Sequence, residues 1–318
     1  MGIVNSRKIA VIGCGFVGST CAFSLMQSKL FSEMVLIDVD EQRTEGEALD
    51  ISHGIPYYSP MNIYAGSYED VSDAAIIIIT AGANQKPGET RLDLVQKNVA
   101  IFKTIIPTIM DEGFKGIFIV VSNPVDILTQ VVMALSGLPK ERVIGSGTVL
   151  DSARLKYCLG HTLDVDTRHV HARIIGEHGD SELAVWSAAN VSGIPIDDFF
   201  HLRGFTNASA MRKQIEENVR NSAYEIIKRK RATYFGIAPS VTRICEAIML
   251  DQKSIMTVSN YQLNLLGVED VVMSMPAIIG AKGMEMQIPL KLDDIETEHL
   301  LASAQTLKNT LSKVDLSL

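Results

Sequence analysis

The sequence predicts an α/β protein: a Rossmann-type doubly wound parallel sheet followed by a second, α+β domain. Three observations carry this. Strand-like apolar runs alternate with helix-like segments through the first half of the chain. One run, residues 74–80 (AAIIIIT), is apolar throughout, as a strand covered on both faces of a parallel sheet must be. The first run ends in Gly13-Cys14-Gly15-Phe16-Val17-Gly18, a glycine pattern that opens a helix.

Along the chain, residues 8–13 read as a buried strand, and Val17, Cys21, Leu25 and Leu30 then recur at roughly helical spacing. Residues 34–38 are the next strand and 41–52 a helix. Beyond the strand at 74–80 come helices near 91–111 and 125–136 and strands at 116–122 and 142–146. In such a sheet the ligand crevice lies beyond the carboxyl ends of the strands. The second half differs. Residues 168–176 read as one strand running into a Gly-flanked turn, and 209–231 as a long helix. Residues 254–260, 269–275 and 284–289 read as strands able to pair antiparallel. The last helix, about 292–314, places Leu300, Ala304, Leu307 and Leu311 on one stripe. The expected division is 1–147 and 148–318.

Composition narrows the function. With 318 residues, 47% of them hydrophobic, the chain can bury a large core. A net charge of −8 argues against a general nucleic-acid binder, yet a few placed Arg residues can still hold an anionic substrate. Cys14, Cys21, Cys158 and Cys245 lack metal-type or redox spacing and read as free thiols of a reducing compartment. No apolar run approaches the ~20 residues of a membrane span, and no signal-peptide core is seen. The opening MGIVNS loosely fits a myristoylation pattern, but a strand starting near Lys8 favours a short frayed terminus. A cytoplasmic protein is expected.

The glycine pattern alone would be weak. Here it follows a strand, opens a helix, and is followed twenty positions after Gly18 by Asp38 at the end of the next strand. That context is the dinucleotide fingerprint. Asp38 can accept hydrogen bonds from the ribose hydroxyls and would repel the extra phosphate of NADP, so NAD is the expected cofactor. The polar segment 82–91 (GANQKPGETR) follows a buried strand, where such loops carry function. Asp151-x-x-Arg154 could be a helix cap with an exposed charge, and His178, between glycines, a turn residue. Spacing alone does not bring them together. His169 and His171 alternate in the expected strand and so share a face, as a surface or interface pair rather than a metal pair.

VSNPVD (121–126), IGSGTVLDSAR (144–154), IIGEHGDSE (174–182), ANQKPGETR (83–91) and ATYFGIA (232–238) together resemble the lactate/malate dehydrogenase family, and the loop resembles its L-lactate branch. The resemblance spans essentially the whole chain. It implies reversible hydride transfer between NAD and a small 2-keto or 2-hydroxy acid, pyruvate and L-lactate before the alternatives of malate or another L-2-hydroxy acid. It implies His178 as proton donor and acceptor, Asp151 as the group that orients and charges it, and Arg91 as the carbonyl polariser on a closing loop. Arg154 would clamp the substrate carboxylate. Asn123 would support the carbonyl, Thr233 would line the pocket, and Gln85 would face the substrate's side chain. Cofactor contacts are implied at Gly13, Gly15, Phe16, Val17, Gly18, Asp38, Arg43, Ala81, Gly82, Asn98, Ser122 and Asn123. Lys156 and His171 match a possible allosteric anion site, although Lys replaces a forked Arg, which puts activation by fructose bisphosphate in doubt. No metal is expected. A homotetramer working in glycolysis and fermentation is the family expectation. A metal-dependent NAD glycosidase of the same fold would need a Cys/His site that is not apparent. A non-catalytic NAD module would not need His178, Asp151, Arg154 and Arg91 together.

Overall fold

The computed structural model describes residues 5–83 and 90–314. Its first half is the expected alternation: β1 (Asn5–Ile12), α1 (Phe16–Ser28), β2 (Glu33–Ile37), α2 (Glu41–Ser52), β3 (Asn62–Ala65), β4 (Ala74–Ile79), α3 (Arg91–Asp111), β5 (Ile117–Val120), α4 (Val125–Ser136) and β6 (Val143–Gly145). β3, a short strand at the sheet edge, has no counterpart among the strands expected from sequence. The six strands are parallel in the order β3-β2-β1-β4-β5-β6. Chain direction across the sheet therefore reverses between β1 and β4, and a crevice opens at their carboxyl ends.

The uninterrupted apolar character of β4 has its reason in the packing. Ile77 and Ile79 join one apolar cluster, while Ile76 and Ile78 join the other, on the opposite face. Successive strand side chains point to opposite faces, so a strand with two dry faces admits no polar alternation.

The second half starts with α5 (Val149–Leu163), directly after β6. Short strands come next: β7 (Val170–His171), β8 (Ile174–Ile175), β9 (Leu183–Ala184), β10 (Asn190–Val191) and β11 (Ile194–Pro195). Then come α6 (Ile196–Leu202), α7 (Ala208–Lys230), α8 (Ile237–Met249), β12 (Ser254–Leu265), β13 (Val268–Gly280), β14 (Gly283–Gln287) and α9 (Asp294–Leu311). As expected, β12, β13 and β14 pair antiparallel. They extend the parallel sheet to nine strands through a single pair, Ser259 opposite Gly145. Leu300, Ala304 and Leu307 of α9 are buried in the cluster that also holds Val271, Met273 and Met275 of β13.

One expectation fails. Residues 168–176 are not one strand. The Asp166 side chain accepts from the Arg168 N–H at 2.9 Å and starts a 3₁₀ turn that ends at His169. Beyond that turn the chain divides between two sheets: β7 pairs with β10, and β8 pairs with β9. His169 and His171 therefore do not alternate along one strand, because an Asx-type cap competes with the extended backbone.

Candidate active site

The cofactor end of the crevice is made of backbone. Gly13 follows β1 with φ +94°, and a Cβ there would lie 2.6 Å from the Ala81 Cα. A Cβ on Gly18 would fall on the Gly13 carbonyl oxygen. These two glycines let β1, α1 and the end of β4 touch. Gly15 is different: a Cβ there would meet nothing within 4 Å, and Gly15 caps α1 without a side-chain hydrogen bond. An open approach to uncapped helix N–H groups suits an anion such as a pyrophosphate. Asp38 is held in place, its carboxylate accepting from the Cys14 N–H at 2.5 Å and the Asp40 N–H at 3.2 Å. Phe16 is exposed and stacks on Tyr234 with 5.3 Å between ring centroids, and the Arg43 guanidinium lies 5.9 Å from the Phe16 ring centre. The fit to a dinucleotide rests on this open glycine, the free helix end and the fixed acid.

Two polar residues expected at the cofactor tie the loops of the crevice together. The buried Asn98 of α3 accepts from the Ala83 N–H at 2.7 Å and donates to the Asn123 carbonyl at 2.8 Å. Ser122 donates to the Ala81 carbonyl at 2.6 Å. The ends of β4 and β5 are thereby one unit, and Asn123 stands exposed on it.

At the other end, side chains from remote segments converge. His178 Nδ1 lies 2.6 Å from Asp151 Oδ2, and Arg154 Nη1 donates to Asp151 Oδ1 at 2.7 Å. Asp151 and Arg154 share one face of α5, at a spacing of one turn. His178 arrives on the loop after β8, and three successive N–H groups of that loop are anchored in three elements. Gly176 donates to the Ser274 carbonyl of β13 at 2.9 Å, Glu177 to Ser303 Oγ of α9 at 2.9 Å, and His178 to Asp126 Oδ2 of α4 at 2.7 Å.

The charges follow from this geometry. Burial pulls the His178 imidazole down, but Asp151 outweighs it, with help from Asp126 and Glu182, and the ring is raised from 6.5 to about 9. Burial pushes Asp151 up, but His178 and Arg154 overcome it and hold the carboxylate below its usual range. Burial, with Asp151 beside it, pushes Glu182 up to about 8 against the pull of His178, Arg154 and Arg220. At neutral pH the cluster therefore holds an imidazolium against an ionised Asp151. The ligand atoms of Asp151, His178 and Glu182 lie within 4.8 Å of one another, a spacing a cation could use. The Arg154 guanidinium on Asp151 works against one.

These residues line a cleft of about 450 Å³ together with Leu94, Asn123, Arg220 and Tyr224. Asp126, Glu182 and the α7 wall were missed as site residues by sequence reasoning. Asp126 and Glu182 stood inside quoted motifs without a role. Val219, Ala223 and Ile227 of α7 line the cleft at four-residue spacing, a stripe that the sequence does show. Thr233 does not line this cleft. It lies half-buried between α7 and α8, next to the Tyr234 that stacks on Phe16. Arg91 opens α3, whereas Gln85 and the Arg91 side chain lie outside the described part of the chain. Lys156 and His171 do share a second cleft, of about 330 Å³, with Arg173 and Arg243.

Known proteins match this chain over nearly its full length. Residues 7–145 match the family model of the lactate/malate dehydrogenase NAD-binding domain, and 148–316 that of the family's alpha/beta C-terminal domain. An L-lactate dehydrogenase of Clostridium botulinum is 49% identical over 308 residues, covering 97% of either chain. That of Thermoanaerobacterium saccharolyticum is 49% identical over 309 residues, 97% of this chain and 99% of the other. The ligand-bound crystal structure of the minor L-lactate dehydrogenase of Enterococcus mundtii superposes with a TM-score of 0.95 at 42% identity, covering 98% of this chain and 99% of that one. A lactate dehydrogenase from a deep-sea metagenome library gives 0.94 at 42% identity, covering 96% and 98%. With both halves of the chain matched in this way, it belongs to the lactate/malate dehydrogenase family.

Proposed function

We propose that this enzyme catalyses the reversible NADH-dependent reduction of pyruvate to L-lactate, with His178 as proton donor in one direction and acceptor in the other. The observation that carries the reading is the continuous chain Arg154–Asp151–His178 in a cleft at the carboxyl ends of the sheet. Bound NADH supplies a hydride to the keto carbon. Arg154 keeps donors beyond the one spent on Asp151 and grips the substrate carboxylate. The Nδ1 bond to Asp151 leaves Nε2 of His178 to release its proton to the carbonyl oxygen as that oxygen gains charge. The ring ends neutral, and the reverse reaction returns the proton to it. Asp151 stays ionised throughout and stabilises the charged ring. Arg91 polarises the carbonyl and Asn123 supports it. A cytoplasmic setting and a homotetramer complete the proposal. No helix among the described residues is long and apolar enough to cross a membrane.

Gln85 is assigned to substrate choice, near the end of the substrate opposite the carboxylate. A neutral amide tolerates the methyl of pyruvate, whereas the second carboxylate of oxaloacetate would be enclosed without a partner, at a cost of several kcal/mol. The test is kcat/KM with NADH for pyruvate and oxaloacetate, in wild type and Gln85→Arg. Wild type should prefer pyruvate by roughly two orders of magnitude or more, and Gln85→Arg should compress or reverse the preference. Oxaloacetate preferred by the wild type would replace the lactate reading with malate chemistry.

A further inference from the structure

The loop between β8 and β9 carries a second ionisable side chain into the cleft, and the proposed reaction gives it no task. Glu182 lies four residues after His178, just before β9, and its N–H folds back onto the Gly179 carbonyl at 3.2 Å. The residue is 9% exposed and lines the same cleft as Arg154 and Arg220. One of its oxygens, a nitrogen of His178 and an oxygen of Asp151 all lie within 4.8 Å of one another. Yet among the described residues none forms a hydrogen bond or ion pair with the Glu182 side chain. Asp151 beside it has both oxygens spent, on His178 and Arg154. A buried carboxyl with only a packing role is normally hydrogen-bonded. This one is left facing charges.

Those charges come from three elements: Asp151 and Arg154 from α5, His178 from its own loop, and Arg220 from α7. Asp180 and Tyr224, bonded to one another at 3.1 Å, line the rest of the cleft, and Asp126 of α4 stands behind His178. Burial and Asp151 favour the neutral Glu182 carboxyl, whereas His178, Arg154 and Arg220 favour the ionised one, and the balance lies at about 8.

We propose that Glu182 is a pH-dependent counter-charge to the carboxylate clamp: neutral, it leaves Arg154 and Arg220 to a monoanionic 2-keto acid, and ionised, it competes with that acid for them. The substrate brings a carboxylate to Arg154, and Glu182 holds the same chemical group, tethered, in the same cleft. Once ionised it attracts both arginines and repels the incoming anion. Its effect on His178 has the opposite sign, because an anion beside the ring favours the protonated form. That effect is the smaller one. Asp151 at 2.6 Å and Asp126 still charge the ring when Glu182 is neutral, whereas Arg154 meets no anion besides Asp151 and Glu182 until substrate arrives. Coupling of this kind is reciprocal, so a bound substrate carboxylate must return the proton to Glu182.

The proposal rests on Arg154 gripping the substrate carboxylate, and the experiment separates the two claims. KM for pyruvate is measured with the full-length enzyme at saturating NADH from about pH 6 to about pH 9, in wild type, Glu182→Gln and Arg154→Gln, alongside thermal unfolding. In the wild type KM should rise about fivefold or more between roughly pH 6.5 and pH 8.5. Glu182→Gln, whose amide carries no charge, should flatten that rise to within about twofold. A rise that is unchanged in Glu182→Gln overturns the proposal. A steeper rise also overturns it, because the loss of an anion would then be felt through the ring of His178 and not through the clamp. Should the Gln variant fail to fold, the wild type decides. Oxamate, a carboxylate that cannot accept a hydride, is added to the NADH complex in weak buffer at about pH 8 with an indicator dye. Uptake of roughly half a proton per chain is expected, of which His178, titrating at about 9, supplies only about a tenth of a proton. No uptake beyond that tenth overturns the proposal. Arg154→Gln keeps the claims apart: a KM unaltered there would remove Arg154 from the substrate carboxylate, and the functional reading of the clamp would fail first.

Discussion

The two ends of the crevice are built by opposite means. At the cofactor end, groups close in sequence act through the backbone: Gly13 and Gly18 permit contact, Gly15 leaves space, and the N–H of Cys14 fixes Asp38. At the catalytic end, Asp126, Asp151 and His178 come from α4, α5 and the loop after β8, and two carboxylate side chains hold the His178 backbone N–H and ring at 2.7 and 2.6 Å. The first design needs the absence of atoms and the second needs specific ones. A binding surface for a large anionic cofactor can therefore be written in a short glycine pattern, whereas a proton donor depends on the whole fold.

This contrast is most sharply tested at His178. Its replacement by Asn should lower turnover of pyruvate by roughly 10²–10⁴-fold while leaving NADH affinity almost unchanged. In the wild type, kcat/KM for pyruvate should fall as pH rises through about 9, because the reaction needs the protonated ring. Stopped-flow turnover and NADH fluorescence titration measure the two quantities. A loss of NADH binding as large as the loss of turnover would mean that the two ends are not separable.

The next effect is a split between two glycines. Gly18→Ala places a methyl group on the Gly13 carbonyl and should lower the melting temperature, with a destabilisation on the order of 1–3 kcal/mol. Gly15→Ala meets only open space, so it should melt like the wild type and yet bind NADH several-fold more weakly. Equal melting and equal NADH affinity in Gly15→Ala would show that the pyrophosphate does not approach there.

The smallest effect is expected at Asp38. Asp38→Ala should narrow the gap in kcat/KM between NADH and NADPH by about tenfold, as the carboxylate that repels a 2′-phosphate is removed. The ratio of the two cofactors under matched pyruvate is the measurement. A ratio that stays put would place the adenosine ribose elsewhere.

Legibility in the sequence divides along the same line. β4 and the glycine turn could be read because each has a local cause: two dry faces in one, a strand–turn–helix junction in the other. Residues 254–260, 269–275 and 284–289 were readable as strands able to pair antiparallel, and β12, β13 and β14 do so. The broken 168–176 segment was not readable, because a single Asp166 side chain redirects a backbone whose residues all tolerate extension. The meeting of Asp151 with His178 came from resemblance, since nothing in a 27-residue separation dictates a 2.6 Å contact. Asp126 and Glu182 had no visible role in sequence because their meaning lies in burial beside His178.

The single strand pair at Gly145 and Ser259 has a mechanical meaning as well. It is a seam in the sheet but not a place where the molecule comes apart. A Cβ on Gly145 would lie 2.7 Å from the Ser259 Cβ, so the two halves abut without a layer between them. One apolar cluster takes Ile9, Val11, Ile78 and Ile144 from before the seam and Val241, Ile244, Val258 and Ala277 from after it. Severing the chain at residue 147 would bare the edge of β6 and strip the cover from that cluster, the two conditions under which strands seek foreign partners. The family's two segments are thus separate as stretches of sequence but share two apolar clusters, so each wall of the crevice rests on packing supplied from both sides of the seam.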